Sequence, residues 1–354
     1  MDLRTARPII KRFLKAGRNF GLVGQPGVGK TDTIREICAS LTAADVFAHL
    51  AKPGDENRPV KFISIATTTK EAVDVSGLPC EKDGRTEWAP PSWLPTGDDV
   101  AVVFLDEFPQ AEIPTQLGFQ KAIDNDLDGV NLSERVVWIV AGNRVEDNAA
   151  AGDIPQHIRN RFSWLNIECD VDAWKEWAAK NHLLPSVIGF IGFRNEQLNT
   201  FSPNSEEYAY ATPRSVAETA RIAAMAPEEE WHAIASATCG AQWAAEWNQY
   251  REFEGRCPDI KDALKNPDGF EFPTEFGVTF AFTNLIAHGV DKSDSEDSRK
   301  ARLRLIERLF DETDHKELAS KTYRSLCAGD STFLTMDCPE IDRLYDKLDS
   351  FLAA

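Results

Sequence analysis

The residues Gly24-Gln25-Pro26-Gly27-Val28-Gly29-Lys30-Thr31 carry the spacing G-x-x-x-x-G-K-[ST]. Glycines at these positions let successive backbone N–H groups turn inward around phosphate oxygens. A helix starting at the end of the run adds the partial positive charge of its N-terminus. Lys30 then holds the β- and γ-phosphates of a nucleoside triphosphate, and the Thr31 hydroxyl is a ligand for Mg²⁺. Ordinary composition produces such a match by accident about once in a hundred chains of this length. A preceding strand and a following helix lower that rate further.

A second group is Val102-Val103-Phe104-Leu105-Asp106-Glu107. Its apolar run ends in two acids, which sets both carboxyl groups at the C-terminal tip of a buried strand, where ligands bind in open α/β sheets. Taken alone this is a plain strand end. Downstream of a phosphate loop, Asp106 can order the shell of Mg²⁺ and Glu107 can polarise the attacking water.

These groups need a scaffold. Short apolar runs lie at 19–24, 60–66, 100–105, 135–141 and 164–168, without the alternation of a half-exposed sheet. They suit parallel strands buried on both faces. Helical patterns at 29–41 and 112–124 fall between them, so the expected class is an α/β sandwich with a five-stranded parallel sheet. Beyond about residue 170 the segments 172–180, 213–225 and 228–250 have helical spacing and strand signals fade. The stretch 253–275, with its Pro and Gly, reads as an irregular connection. The polar run 291–298 reads as an exposed loop before helices at 299–311 and 339–352.

The 354 residues allow two or three domains. No apolar run approaches the roughly 20 residues that cross a bilayer. The basic first twenty residues superficially suit a transit peptide, but the first strand begins near Asn19, so a folded helix leading into the core is expected. Seven cysteines are scattered without CxxC pairs or zinc-ligand spacing, as for reduced cytosolic thiols. The six histidines form no ligand or triad pattern, and structural roles are expected for them. The net charge of −18 disfavours nucleic acid as a partner, since phosphate neutralisation calls for a basic surface.

With these motifs in order, the chain resembles an AAA+ ATPase of the MoxR-like branch, found in bacteria and in phage or prophage genomes. Strand 135–141 runs into Gly142-Asn143, which matches the polar sensor-1 position near the γ-phosphate. The segment Ile154-Pro155-Gln156-His157-Ile158-Arg159-Asn160-Arg161-Phe162 is similar to the family's segment whose arginine before Phe reaches the neighbouring subunit's site. That makes Arg161 the trans finger, with Arg159 its substitute. Thr212-Pro213-Arg214-Ser215 looks like the sensor-2 arginine opening a lid helix. Each has a plainer alternative: Arg161 as a surface residue paired with an acid, Asn143 as a strand-end turn residue. The segment 74–95 resembles the hairpin inserted in the second helix of this branch, with Asp83-Gly84 as its turn. Trp88 and Trp93 would face the ring pore or an adaptor, or else cover the small core.

The resemblance implies a nucleotide-binding domain at 1–170, a helical lid at 171–228 and a mainly helical region of unknown role at 229–354. It implies an Mg²⁺-dependent ATPase forming a homo-oligomeric, hexameric ring in the cytoplasm of a bacterium or phage-infected cell. The ring would remodel a protein client in a chaperone-like way, beside an adaptor such as a von Willebrand factor A domain protein. Two rivals stand against it. One is a nucleic-acid motor or restriction-type translocase, for which neither a basic stripe nor a DNA-reading domain is visible. The other is a nucleotide switch or scaffold with low turnover, against which Glu107, Asn143, Arg161 and Arg214 are all intact.

Overall fold

A computed structural model describes residues 1–127, 130–144, 154–202, 207–289, 295–313 and 315–352. The chain divides into two compact units, one spanning Met1–Cys169 and one beginning at Asp170. Among the described residues no helix is long and apolar enough to cross a membrane.

The first unit holds the expected parallel sheet. Its strands are β1 (Phe20–Gly24), β2 (Lys61–Ala66), β5 (Ala101–Asp106), β6 (Val136–Gly142) and β7 (Ser163–Ile167), in the order β2-β5-β6-β1-β7. Every neighbouring pair is parallel. The apolar runs anticipated this because β5 and β6 are buried almost throughout, and a strand covered on both faces has no polar side to alternate. Successive side chains still point to opposite faces. Val102 and Phe104 pack with Ile10, Leu14, Ile34 and Ile37 of helices α1 (Leu3–Ala16) and α2 (Lys30–Ala39). Ala101, Val103 and Leu105 pack instead with Phe119 of α4 (Ile113–Ile123). The basic N-terminal segment is α1, capped by Asp2, whose carboxylate accepts from the Thr5 N–H at 2.9 Å. Its buried stripe of Ala6, Ile10 and Leu14 ties it to the core.

After α3 (Ala72–Ser76) the segment 74–95 forms an antiparallel hairpin, β3 (Leu78–Lys82) and β4 (Arg85–Ala89). Asp83 and Gly84 both have positive φ, 53° and 74°, as a two-residue turn compatible with strand twist requires. The two tryptophans part company. Trp88 is exposed on the hairpin, whereas Trp93 packs on the core, its ring 6.1 Å from that of Phe119.

The second unit is helical: α6 (Val171–Lys180), α7 (Pro185–Phe193), α8 (Pro213–Ala223), α9 (Trp231–Cys239), α10 (Ala241–Gly255), α11 (Ile260–Lys265), α12 (Phe276–His288), α13 (Glu296–Glu312), α14 (Lys316–Gly329) and α15 (Pro339–Leu352). Several sequence expectations need correction here. The pattern at 228–250 is two helices parted by Gly240, whose φ of 98° suits glycine. The stretch 253–275 is less irregular than expected, since α10 runs on to Gly255 and α11 follows. Ser295 caps α13, which therefore starts before 299, and residues 291–294 of the expected polar loop lie outside the described residues.

One carboxyl in this unit makes stability depend on pH. Burial pushes Glu254 up to about 7, against the opposing pull of the Ser186 hydrogen bond and the Arg251 charge. Ser186 Oγ donates to Glu254 at 2.5 Å and accepts from Trp247 Nε1 at 3.1 Å. A carboxyl raised on folding binds more protons in the folded state between its ordinary 4.5 and about 7, so its contribution to stability falls as pH rises through that window. Melting curves of wild type and Glu254→Gln should therefore diverge in favour of the variant from pH 5 to pH 8. A constant difference would mean that Glu254 does not titrate there.

Candidate nucleotide-binding site

Register brings the chemistry to one end of the sheet. Val23 pairs with Gly142, Leu105 with Val140 and Ala66 with Asp106, so the loop after β1, the acids ending β5 and the residue after β6 share the C-terminal edge. That edge is where open α/β sheets bind ligands.

The loop is built by glycine. Gly27 and Gly29 have φ of 74° and 91°, left-handed values that a side chain would strain. Gly24 is held by packing instead: a Cβ there would lie 2.3 Å from the Ile167 carbonyl oxygen of β7. Gly29 is the N-cap of α2, which directs that helix's first N–H groups toward the loop. Lys30 is only 8% exposed, and its Nζ donates to the Gly24 and Gln25 carbonyls at 2.7 and 3.0 Å. The same Nζ donates at 3.4 Å to Asn143 Oδ1, joining the loop to the end of β6.

Thr31 and Asp106 meet across the loop, with Thr31 Oγ1 donating to Asp106 Oδ2 at 2.9 Å. A hydroxyl and a carboxylate oxygen placed together are hard donors of the kind a magnesium ion takes, so the residues present fit that group. Glu107 follows with φ 55° and ψ 31°, a left-handed conformation uncommon for a residue with a side chain. Such outliers gather at functional sites, and this one turns the chain sharply where the two carboxylates leave the sheet.

Sequence reasoning missed the partners of these acids. The buried Thr67 donates to the Asp106 carbonyl at 2.8 Å, and Thr68 Oγ1 donates to Glu107 Oε2 at 2.9 Å. Both lie just past β2, and the only signal was a short threonine run at 67–69.

The hydrogen bonds of Arg161 run to Asp124 and His157. Arg161 forms a two-pronged pair with Asp124 at the end of α4, Nε to Oδ1 at 2.6 Å and Nη2 to Oδ2 at 2.7 Å. A further hydrogen bond runs from Nη1 to the His157 carbonyl. The hydrogen bond from Arg161 holds the Asp124 carboxyl below its ordinary range. Arg159, which ends the short helix α5 (Gln156–Arg159), donates from Nε to the Ile154 carbonyl at 2.7 Å. Arg214 is exposed in the first turn of α8, after Thr212 as N-cap and Pro213 at the first helical position.

Fold and loop together define the class: a parallel α/β unit with a phosphate-binding-loop motif, followed by a helical unit. The chain matches no family model and no curated protein. Among solved structures it is similar to NtrX from Brucella abortus, at TM-score 0.34 and 14% identity, over 98% of this chain and 67% of that one. NtrX in complex with ATP matches at TM-score 0.35 and 14% identity, over the same shares of the two chains. A RuvB mutant from Thermotoga maritima matches at TM-score 0.34 and 12% identity, over 90% of this chain and 79% of that one. Similarity this low carries no argument about activity or partners.

Proposed function

We propose that the chain is an Mg²⁺-dependent ATPase of the MoxR-like AAA+ branch that works as a homo-oligomeric ring on a protein partner. The observation that carries the reading is the Thr31–Asp106 hydrogen bond beside Lys30 and Glu107, which unites two sequence-distant motifs at one sheet edge. Lys30, Gly27 and Gly29 would bind the phosphates, and Thr31 and Asp106 would hold Mg²⁺. The bound ion supplies charge neutralisation at the phosphates. Glu107 would orient and polarise water, and Asn143 would fix the position of the γ-phosphate group from the end of β6. Arg161 would serve the neighbouring subunit's ATP and Arg214 would act as the sensor on a lid. The division of the second unit into a lid at 171–228 and a C-terminal region at 229–354 belongs to the same proposal. So do the hexamer, the von Willebrand factor A domain partner and the cytoplasmic setting.

Glu107→Gln separates binding from chemistry. It keeps side-chain shape and the ability to accept from Thr68 but loses the charge that polarises water. ATP should bind as in wild type, while turnover falls by about 10²-fold or more. Unchanged turnover would assign the base elsewhere. The same variant, loaded with ATP, is the bait for the protein client.

A further inference from the structure

We infer that Asp124 is a positioning residue for hydrolysis, holding Arg161 so that one edge of its guanidinium faces the ATP of a neighbouring copy. The inference rests on the ring reading above and on a count of donors. A guanidinium has five N–H groups in a fixed planar fork. Asp124 takes the side edge, through Nε and Nη2, and the His157 carbonyl takes a hydrogen of Nη1. That leaves one hydrogen on Nη1 and one on Nη2. The end edge between those two nitrogens suits two-pronged binding of phosphate oxygens. Asp124 therefore fixes Arg161 without using the edge that a phosphate would need.

Two further observations agree. Arg161 borders an open surface cleft of about 540 Å³ together with Gln156, His157 and Asn160, so the guanidinium is reachable from outside its own chain. The pair is also poorly placed to serve stability. The two side chains are 31% and 34% exposed, and exposed ion pairs contribute little to stability. A purely structural role thus predicts a small effect of removing the carboxylate, on melting alone.

The test uses the full chain and ATP turnover at equal protein concentration. Asp124→Asn removes the charge and one acceptor of the fork but keeps the shape. A reacting group misplaced by about 1 Å can lose 10²-fold, so kcat should fall about 10- to 100-fold with KM for ATP within about twofold. Mixing supplies a readout that a structural role would not move. Chains carrying Asp124→Asn have an intact phosphate loop, so mixing them with Lys30→Ala chains should restore turnover. Mixing them with Arg161→Ala chains should restore none, because both lesions lie in the same finger. Should Asp124→Asn fail to fold, Asp124→Ser replaces it in every arm. Unchanged or raised kcat would overturn the inference, as would restoration by the Arg161→Ala partner. If Arg161→Ala alone keeps full turnover, the trans-finger reading itself falls and takes this inference with it. If Arg161→Ala is inactive while Asp124→Asn is not, only the positioning role is lost.

Discussion

Lys30→Ala should abolish detectable ATP binding while leaving the melting temperature close to that of wild type. Lys30 is nearly enclosed, and its ammonium group lies within the loop, held by the Gly24 and Gln25 carbonyls and by Asn143. A cation held there meets phosphate oxygens with little competition from water, so its contribution is that of a desolvated charge. Truncating one partner of a buried, hydrogen-bonded charge pair costs about 2–5 kcal/mol, which is about 30-fold in affinity at the least. Titration of a fluorescent ATP analogue, with the melting curve as a control on folding, measures the effect. Affinity within about threefold of wild type would remove the assigned phosphate loop and with it the site.

How much of this was legible beforehand depended on whether a feature is local. The strands of the sheet could be read because β5 and β6 are short, apolar and bounded by polar residues. The glycine loop could be read because its backbone demands are met by residue type alone. Helices α7 and α12 could not: Ser186–Ile191 and most of Gly277–Ala287 are buried, so no polar face marks the period of 3.6. α14 does have a polar face, so burial on all sides does not account for it. Thr68 and Asp124 were invisible for another reason. Each gains meaning from a partner 39 or 37 residues away, Glu107 and Arg161, and only the fold sets those distances. The alternative of Arg161 as a surface arginine paired with an acid is met in the structure as well. An ion pair within the chain and a role toward a neighbour are compatible, because the pair occupies one edge of the guanidinium.

Arg161→Ala should retain nucleotide binding and lose hydrolysis, and the loss should be repairable by a second, differently defective chain. An arginine supplied to the γ-phosphate contributes about 10³–10⁵ in rate by stabilising charge in the transition state. Arg161 pairs with Asp124 at the end of α4, while Lys30 bonds to Gly24, Gln25 and Asn143. Nothing in those contacts brings the guanidinium to its own chain's phosphate loop. If it works on a neighbour instead, specific activity should rise with protein concentration as subunits associate. The sharper measurement mixes Arg161→Ala with Lys30→Ala, each inactive alone. A mixed assembly contains interfaces at which an intact phosphate loop of one chain meets an intact Arg161 of the other. With equal amounts and random mixing, about a quarter of interfaces are of this kind, so turnover should return to about that fraction of wild type. An arginine serving the ATP of its own chain cannot give this result, since no chain in the mixture carries both groups. If native mass spectrometry confirms mixed assemblies and turnover still does not return, Arg161 does not act in trans. Arg159, whose Nε is now committed to the Ile154 carbonyl, becomes the residue to test in the same mixture.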